Sequence, residues 1–148
     1  MGEESASGAE TSARPVLALD LGQSRIGVAI SDPGGRFAVP LGTVRTGPPE
    51  DVKAIAAMVR DHGVGSVVVG HPLSMSGQPG EAADHAERFA EALRGFLGIP
   101  VHLQDERLTT VQAERELAAR GIGRRERREV VDQTAATLIL QAYLDAHR

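Results

Sequence analysis

VLALDLGQSRIGVAIS, residues 16–31, is the stretch that decides the fold. Val16 to Leu21 is a continuous apolar run interrupted only by Asp20, the pattern of a central strand buried on both faces. Gly22, Gln23 and Ser24 make a short polar turn, and Arg25 to Ser31 is a second apolar run. Two such runs joined by so short a turn predict an antiparallel hairpin. Asp32, Pro33, Gly34 and Gly35 signal another turn, after which Phe37 to Thr46 supplies a third strand that Pro40 and Gly42 restrict to an edge or a broken one.

Downstream the periodicity changes. Val52, Ile55, Ala56 and Val59 recur at helical spacing between Glu50 and His62, and Gly63 and Gly65 then lead into the apolar run Ser66 to Val69, a buried strand. Residues 70–80, rich in Gly, Ser and Pro and including His71, read as a loop at a strand end. Glu81 to Leu97 is amphipathic, with Ala86, Phe89, Ala90, Leu93 and Phe96 assigned to its inner face. Val101 to Gln104 is a further strand ending at Asp105 and Glu106. Thr109 or Thr110 caps a helix to about Arg120, and the last helix runs from about Glu126 to Ala146. The order β-β-β-α-β-α-β-α predicts a three-layer α/β fold with a mixed five-stranded sheet and helices on both faces. Residues 1–14, small, polar and acidic, are expected to be a disordered tail, and 15–148 a single domain.

Composition narrows the chemistry. The chain has no cysteine, so disulfides, thiolate metal sites and cysteine nucleophiles are excluded, and oxygen and imidazole remain as strong ligands. No apolar run has the ~18 residues of a membrane span, and the start lacks a secretory signal, so the expected compartment is the cytoplasm. A net charge of −4 argues against indiscriminate binding of polyanions. Yet Arg115, Arg120, Arg124, Arg125, Arg127 and Arg128 crowd around Gly121 and Gly123, where a phosphate backbone can be gripped locally. The bland alternative is a salt-bridged surface, since Glu114, Glu116, Glu126 and Glu129 are interleaved with them.

Asp20, Glu106 and Asp132 carry the functional argument. Asp132 shares a helical stripe with Ala135, Ala136, Ile139 and Tyr143, which places an acid on a core-facing side. An isolated ionised carboxylate there is costly unless it is protonated, hydrogen-bonded, paired or metal-bound. Asp20 and Glu106 fall at carboxyl ends of strands, where α/β sheets gather their functional groups. If those two strands are neighbours and the last helix crosses their ends, the three acids converge. Their mutual repulsion then calls for Mg²⁺ or Mn²⁺, and two such ions support phosphodiester hydrolysis. Each acid also has a structural reading: Asp20 as a turn residue, Asp132 as a partner of helix N-terminal donors, and Glu106 or Asp105 as a cap or a partner of Arg107. Pattern alone leaves open which of Asp105 and Glu106 points inward.

These residues carry a resemblance. Asp20-Leu21-Gly22 with Arg25 to Ala29 and Ser31-Asp32, then Val69-Gly70 with Pro72-Leu73, Asp105 to Thr110, and Val131-Asp132 with Ala135-Ala136 and Ile139 to Gln141, resemble the YqgF/RuvX family from about Val16 to Leu144. The resemblance implies a ribonuclease-H-like fold similar to the RuvC junction resolvases, and a nuclease acting on Holliday junctions or on the 5′ end of pre-16S ribosomal RNA. It further implies Asp20, Glu106 and Asp132 as metal-binding catalytic acids, with Asp105 the less secure member. His71 departs from the pattern, standing where the family often has an apolar residue, and is read as a loop histidine. Arg25 and Arg107, beside the acids in sequence, are candidates to bind a phosphate or to neutralise the acids.

With 3% aromatic residues, and Phe37, Phe89, Phe96 and Tyr143 read mostly as core, recognition is expected to rest on phosphates and shape rather than base stacking. The expected partners are precursor rRNA or branched DNA, with pre-ribosomal particles as a further candidate and no membrane. A non-catalytic nucleic-acid or ribosome-assembly binding factor is the alternative. A nucleotide-binding domain of the actin and sugar-kinase type fits less well, because those proteins close two such domains around the nucleotide and 148 residues hold one.

Overall fold

A computed structural model describes residues 14–72, 80–106 and 124–147, with the side chains of the last segment described from residue 135 onward. The expected helix at 109–120, Arg107, most of the tail and most of the 71–80 loop lie outside the described residues.

Strands β1 (Val16–Leu21), β2 (Arg25–Ser31), β3 (Ala38–Arg45), β4 (Ser66–His71) and β5 (Val101–Asp105) form one sheet in the order β3-β2-β1-β4-β5. Helices α1 (Glu50–His62), α2 (Glu81–Leu97) and α3 (Arg124–Ala146) complete the described elements. The opening hairpin forms as the sequence predicts, with Leu17 opposite Ile30 and Leu21 opposite Ile26. Its turn closes through a bond from Gly22 N to Arg25 O of 3.0 Å, and a Cβ at Gly22 would lie 2.5 Å from that oxygen. β3 is an edge strand, and an irregular register between Val28 and Ala29 falls opposite Pro40 and Gly42. Gln141 of α3 holds the start of that edge: its Oε1 accepts from Ala38 N and its Nε2 donates to Arg36 O, both at 2.9 Å.

β1 pairs in parallel with β4, and β4 with β5. The condition that the strands of Asp20 and Glu106 be neighbours is not met: β4 lies between them. Local periodicity identifies strands but carries no information on which crossover places them side by side.

Alternation along the strands separates two cores. Leu17 and Leu19 of β1, Val67 and Val69 of β4 and Val101 of β5 pack with Ile55 of α1 and Phe89, Ala90 and Leu93 of α2. Ala18, Ala29 and Val68 face the other way, against Ala136, Ile139, Leu140 and Leu144 of α3. Small side chains on both partners let α3 approach the sheet closely. Three details differ from expectation. β4 extends through Gly70 to His71, so His71 belongs to a strand. Phe96 is 59% exposed, because on either side of Gly98 it is Leu97 and Ile99 that reach the core. Phe37 is also exposed, in the turn that leads into the edge strand, and Tyr143 is only partly buried. Among the described residues no helix is long and apolar enough to cross a membrane.

Candidate active site

The site is built at the carboxyl ends of the parallel strands. The register of β1 with β4 pairs Leu19 with Val69, which carries Asp20 to the level of Gly70, and Glu106 N donates to His71 O at 3.3 Å. Because side chains alternate, Asp20, Gly70 and Glu106 fall on the α3 face, the face of Ala18 and Val68. Gly70 is the step between the two acids. A Cβ there would coincide with Glu106 Oε2 and come within 3.0 Å of Glu106 Cδ and 2.7 Å of Ile139 Cδ1. Glu106 therefore lies over the bare backbone of the intervening strand, leaning towards Asp20.

The same alternation decides between the two adjacent acids. Asp105 is exposed and pairs in register with His71, whereas Glu106 is partly buried at Gly70. Burial first, and then the negative charges of Asp20 and Asp105, push the Glu106 carboxyl up to about 8. That identifies Glu106 as the inward acid and shows that it shares an electrostatic field with Asp20.

Asp132 is a residue of α3, and its side chain lies outside the described residues. The course of the helix is nevertheless clear. Ile139 meets Gly70 near the end of β4, and Tyr143 stacks on His102 near the start of β5 with ring centroids 6.0 Å apart. Leu144 belongs to the cluster that also holds Val16. α3 thus runs back along the sheet, and its earlier turns, including the one with Asp132 about two turns before Ile139, lie towards the end where Asp20 and Glu106 sit. Among the described residues no three His, Cys, Asp or Glu side chains are grouped to hold a metal ion; Glu106 lies in the negative field of Asp20 and Asp105. Their chemistry fits a hard divalent cation, because every donor is an oxygen and the like charges that raise the Glu106 pKa are what such an ion relieves.

A cleft of about 440 Å³ opens at this end of the sheet, lined among others by Gly22, Thr46, Gly70, Pro72, His85 and Glu106. Arg25 stands at the same end of the sheet, at the start of β2. His71 Nε2 lies 2.8 Å from Glu87 Oε2 of α2, on the opposite face from Gly70, which takes it away from the acids. Arg124, Arg125, Arg127 and Arg128 belong to the first turns of α3, and their side chains lie outside the described residues, as does all of Arg107. Sequence reasoning missed Gly70, although a glycine inside a β-branched run is itself a signal of close approach by another group.

The backbone resembles that of Thermus thermophilus RuvC, solved in complex with a Holliday junction substrate, with a TM-score of 0.53 at 20% identity over 90% of this chain and 95% of that one. The fold is therefore ribonuclease-H-like. The family description "RuvX: Holliday junction resolvase" matches residues 14–146, and the chain belongs to this family. A relative from Chloroflexus aurantiacus is 48% identical over 134 residues, covering 90% of this chain and 88% of the relative. One from Thermobifida fusca is 50% identical over 140 residues, covering 89% and 87%. Both carry the name "Putative pre-16S rRNA nuclease".

Proposed function

We propose that this protein is a metal-dependent endonuclease that hydrolyses phosphodiester bonds in structured nucleic acid, either the 5′ leader of pre-16S rRNA or a branched DNA junction. The observation that carries the reading is the placement of Glu106 over Gly70 towards Asp20, where two carboxylates share one field at a cleft. Asp20 and Glu106, with Asp132 from α3, are the residues to hold Mg²⁺ or Mn²⁺, and Asp105 adds negative charge beside them. Two such ions, when bound, supply an activated water and neutralise charge developing on the phosphate. Asp20 and Glu106 fix the position of that chemistry because both sit on the ends of rigid strands. Arg25, Arg107 and the arginines at 124, 125, 127 and 128 hold the backbone of the substrate. Precursor rRNA as substrate would place the protein with pre-ribosomal particles in the cytoplasm.

The test is cleavage of a labelled four-way DNA junction and of a precursor 16S 5′-leader RNA by wild type and Asp20→Asn, with Mn²⁺ and with chelator. Cleavage of one substrate that requires both the metal and Asp20 is the expected result and names the substrate. Metal-dependent cleavage retained by Asp20→Asn would overturn the site. Binding without any cleavage would favour a non-catalytic assembly factor on the same fold.

A further inference from the structure

β2 and β3 end their pairing with Arg25 opposite Arg45. The register brings two guanidinium groups to one end of the sheet. Alternation puts both arginines on the α3 face, since their neighbours Ile26 and Val44 belong to the opposite core. Together with Ser24, Thr43 and Thr46 they line an open cleft of about 560 Å³. Thr46 is common to this cleft and to the one that contains Glu106. It is fixed there by two bonds of 3.0 Å, from its Oγ1 to Gly22 O and from its N to Ser24 O. From the β3 edge inward, one end of the sheet thus presents Arg45, Arg25, Asp20, Gly70 and Glu106 in strand order.

We infer that the Arg25–Arg45 cleft is a phosphodiester subsite, which takes a backbone phosphate of the nucleic-acid strand next to the one held at the acids. The proposal rests on the nuclease reading for the identity of the strand, and assigns to Arg45 a role that no motif in the sequence suggested. Two guanidinium forks, with the hydroxyl-bearing Ser24 and Thr43 beside them, match the two non-bridging oxygens of a phosphodiester. The bound anion brings its negative charge to the end of the sheet where both guanidinium groups stand. The contact is to backbone, so it sets the register of the strand and does not read sequence.

Binding is measured in an Asp20→Asn background, so that no substrate is consumed, on a four-way junction and on the 16S leader RNA at several salt concentrations. Arg45→Gln should weaken binding about tenfold at low salt on whichever substrate binds. It should also lower the slope of log affinity against log salt by about 1, while Arg45→Lys keeps most of the slope. Its thermal midpoint should match that of the parent, because Arg45 is exposed at a strand end. Inorganic phosphate at millimolar concentration should leave nucleic-acid binding unchanged, since a single free anion lacks the neighbouring contacts of a chain. An unchanged affinity and slope in Arg45→Gln would overturn the subsite, as would a weaker affinity fully accounted for by a fallen thermal midpoint. Displacement of the nucleic acid by phosphate alone would mark a small-anion site and overturn the assignment to a strand. The outcome is independent of the nuclease reading: a wild type that cleaves nothing can still show, or fail to show, the Arg45 salt effect.

Discussion

Two acids of this chain are drawn in from solvent, Asp51 at the start of α1 and Glu106 at the end of β5, and their surroundings are opposite in kind. Asp51 is only 3% exposed, yet its Oδ2 accepts from Gly47 N at 3.0 Å and its Oδ1 from Val52 N at 2.7 Å. Backbone donors meet its charge, and it organises the entry to a helix. Glu106 is less buried, but it is set among Asp20 and Asp105, and its carboxyl is pushed up to about 8. Burial of an acid is therefore a poor guide to function by itself; an acid gathered with other acids at the end of a sheet is a better one.

The largest expected effect lies at Glu106 and its neighbour. Asp20→Asn or Glu106→Gln should reduce metal-dependent cleavage on the order of a thousandfold or more. Circular dichroism and thermal melting should show the fold retained, whereas Asp51→Ala should leave turnover per folded molecule unchanged. Gly70→Ala comes next. Its methyl must displace Glu106 and Ile139, so cleavage should fall about a hundredfold and stability by about 1–3 kcal/mol, read from single-turnover rates and denaturant melts.

The third contrast is in pH. Glu106 has its ordinary value of 4.5 in the unfolded chain and about 8 in the metal-free fold, so between those values the folded protein keeps a proton that the unfolded chain has released. Its contribution to stability is therefore complete below about pH 4.5 and is lost as pH rises through about 8. Melting of the chelated wild type should show this decline, Glu106→Gln should flatten it, and saturating Mn²⁺ should raise the midpoint most at the alkaline end. A metal-free wild type whose stability follows the same course over that window as that of Glu106→Gln would contradict the assigned environment. The smallest effect is on the structural side: Asp51→Ala should cost about 1–2 kcal/mol with no dependence on added metal.

Much of this architecture is legible in the sequence. The β1–β2 hairpin and the helices at 50–62 and 81–97 appear where apolar periodicity and glycine caps place them. Their signals are local, so a single chain displays them. The interposed strand was not legible, because pairing of β1 with β4 depends on how a crossover packs. Gly70 and His71 were read as loop since Gly-His-Pro resembles punctuation, while the structure uses the glycine as clearance within a strand. The acids are visible as candidates from their positions, but pattern leaves Asp105 and Glu106 open, and the choice comes from the structure, where Val101 and Leu103 face the core opposite α3. Arg45 was invisible because its meaning comes only from standing opposite Arg25.

The interposed strand also explains a choice of residue type. Strands lie about 4.8 Å apart, so the backbones bearing Asp20 and Glu106 are separated by roughly 10 Å. The extra methylene of glutamate carries the carboxyl of Glu106 over Gly70, a residue with no side chain, and so into that gap. In this site reach is a chemical property in its own right: an aspartate at 106 would keep the charge and hold it further back over its own strand.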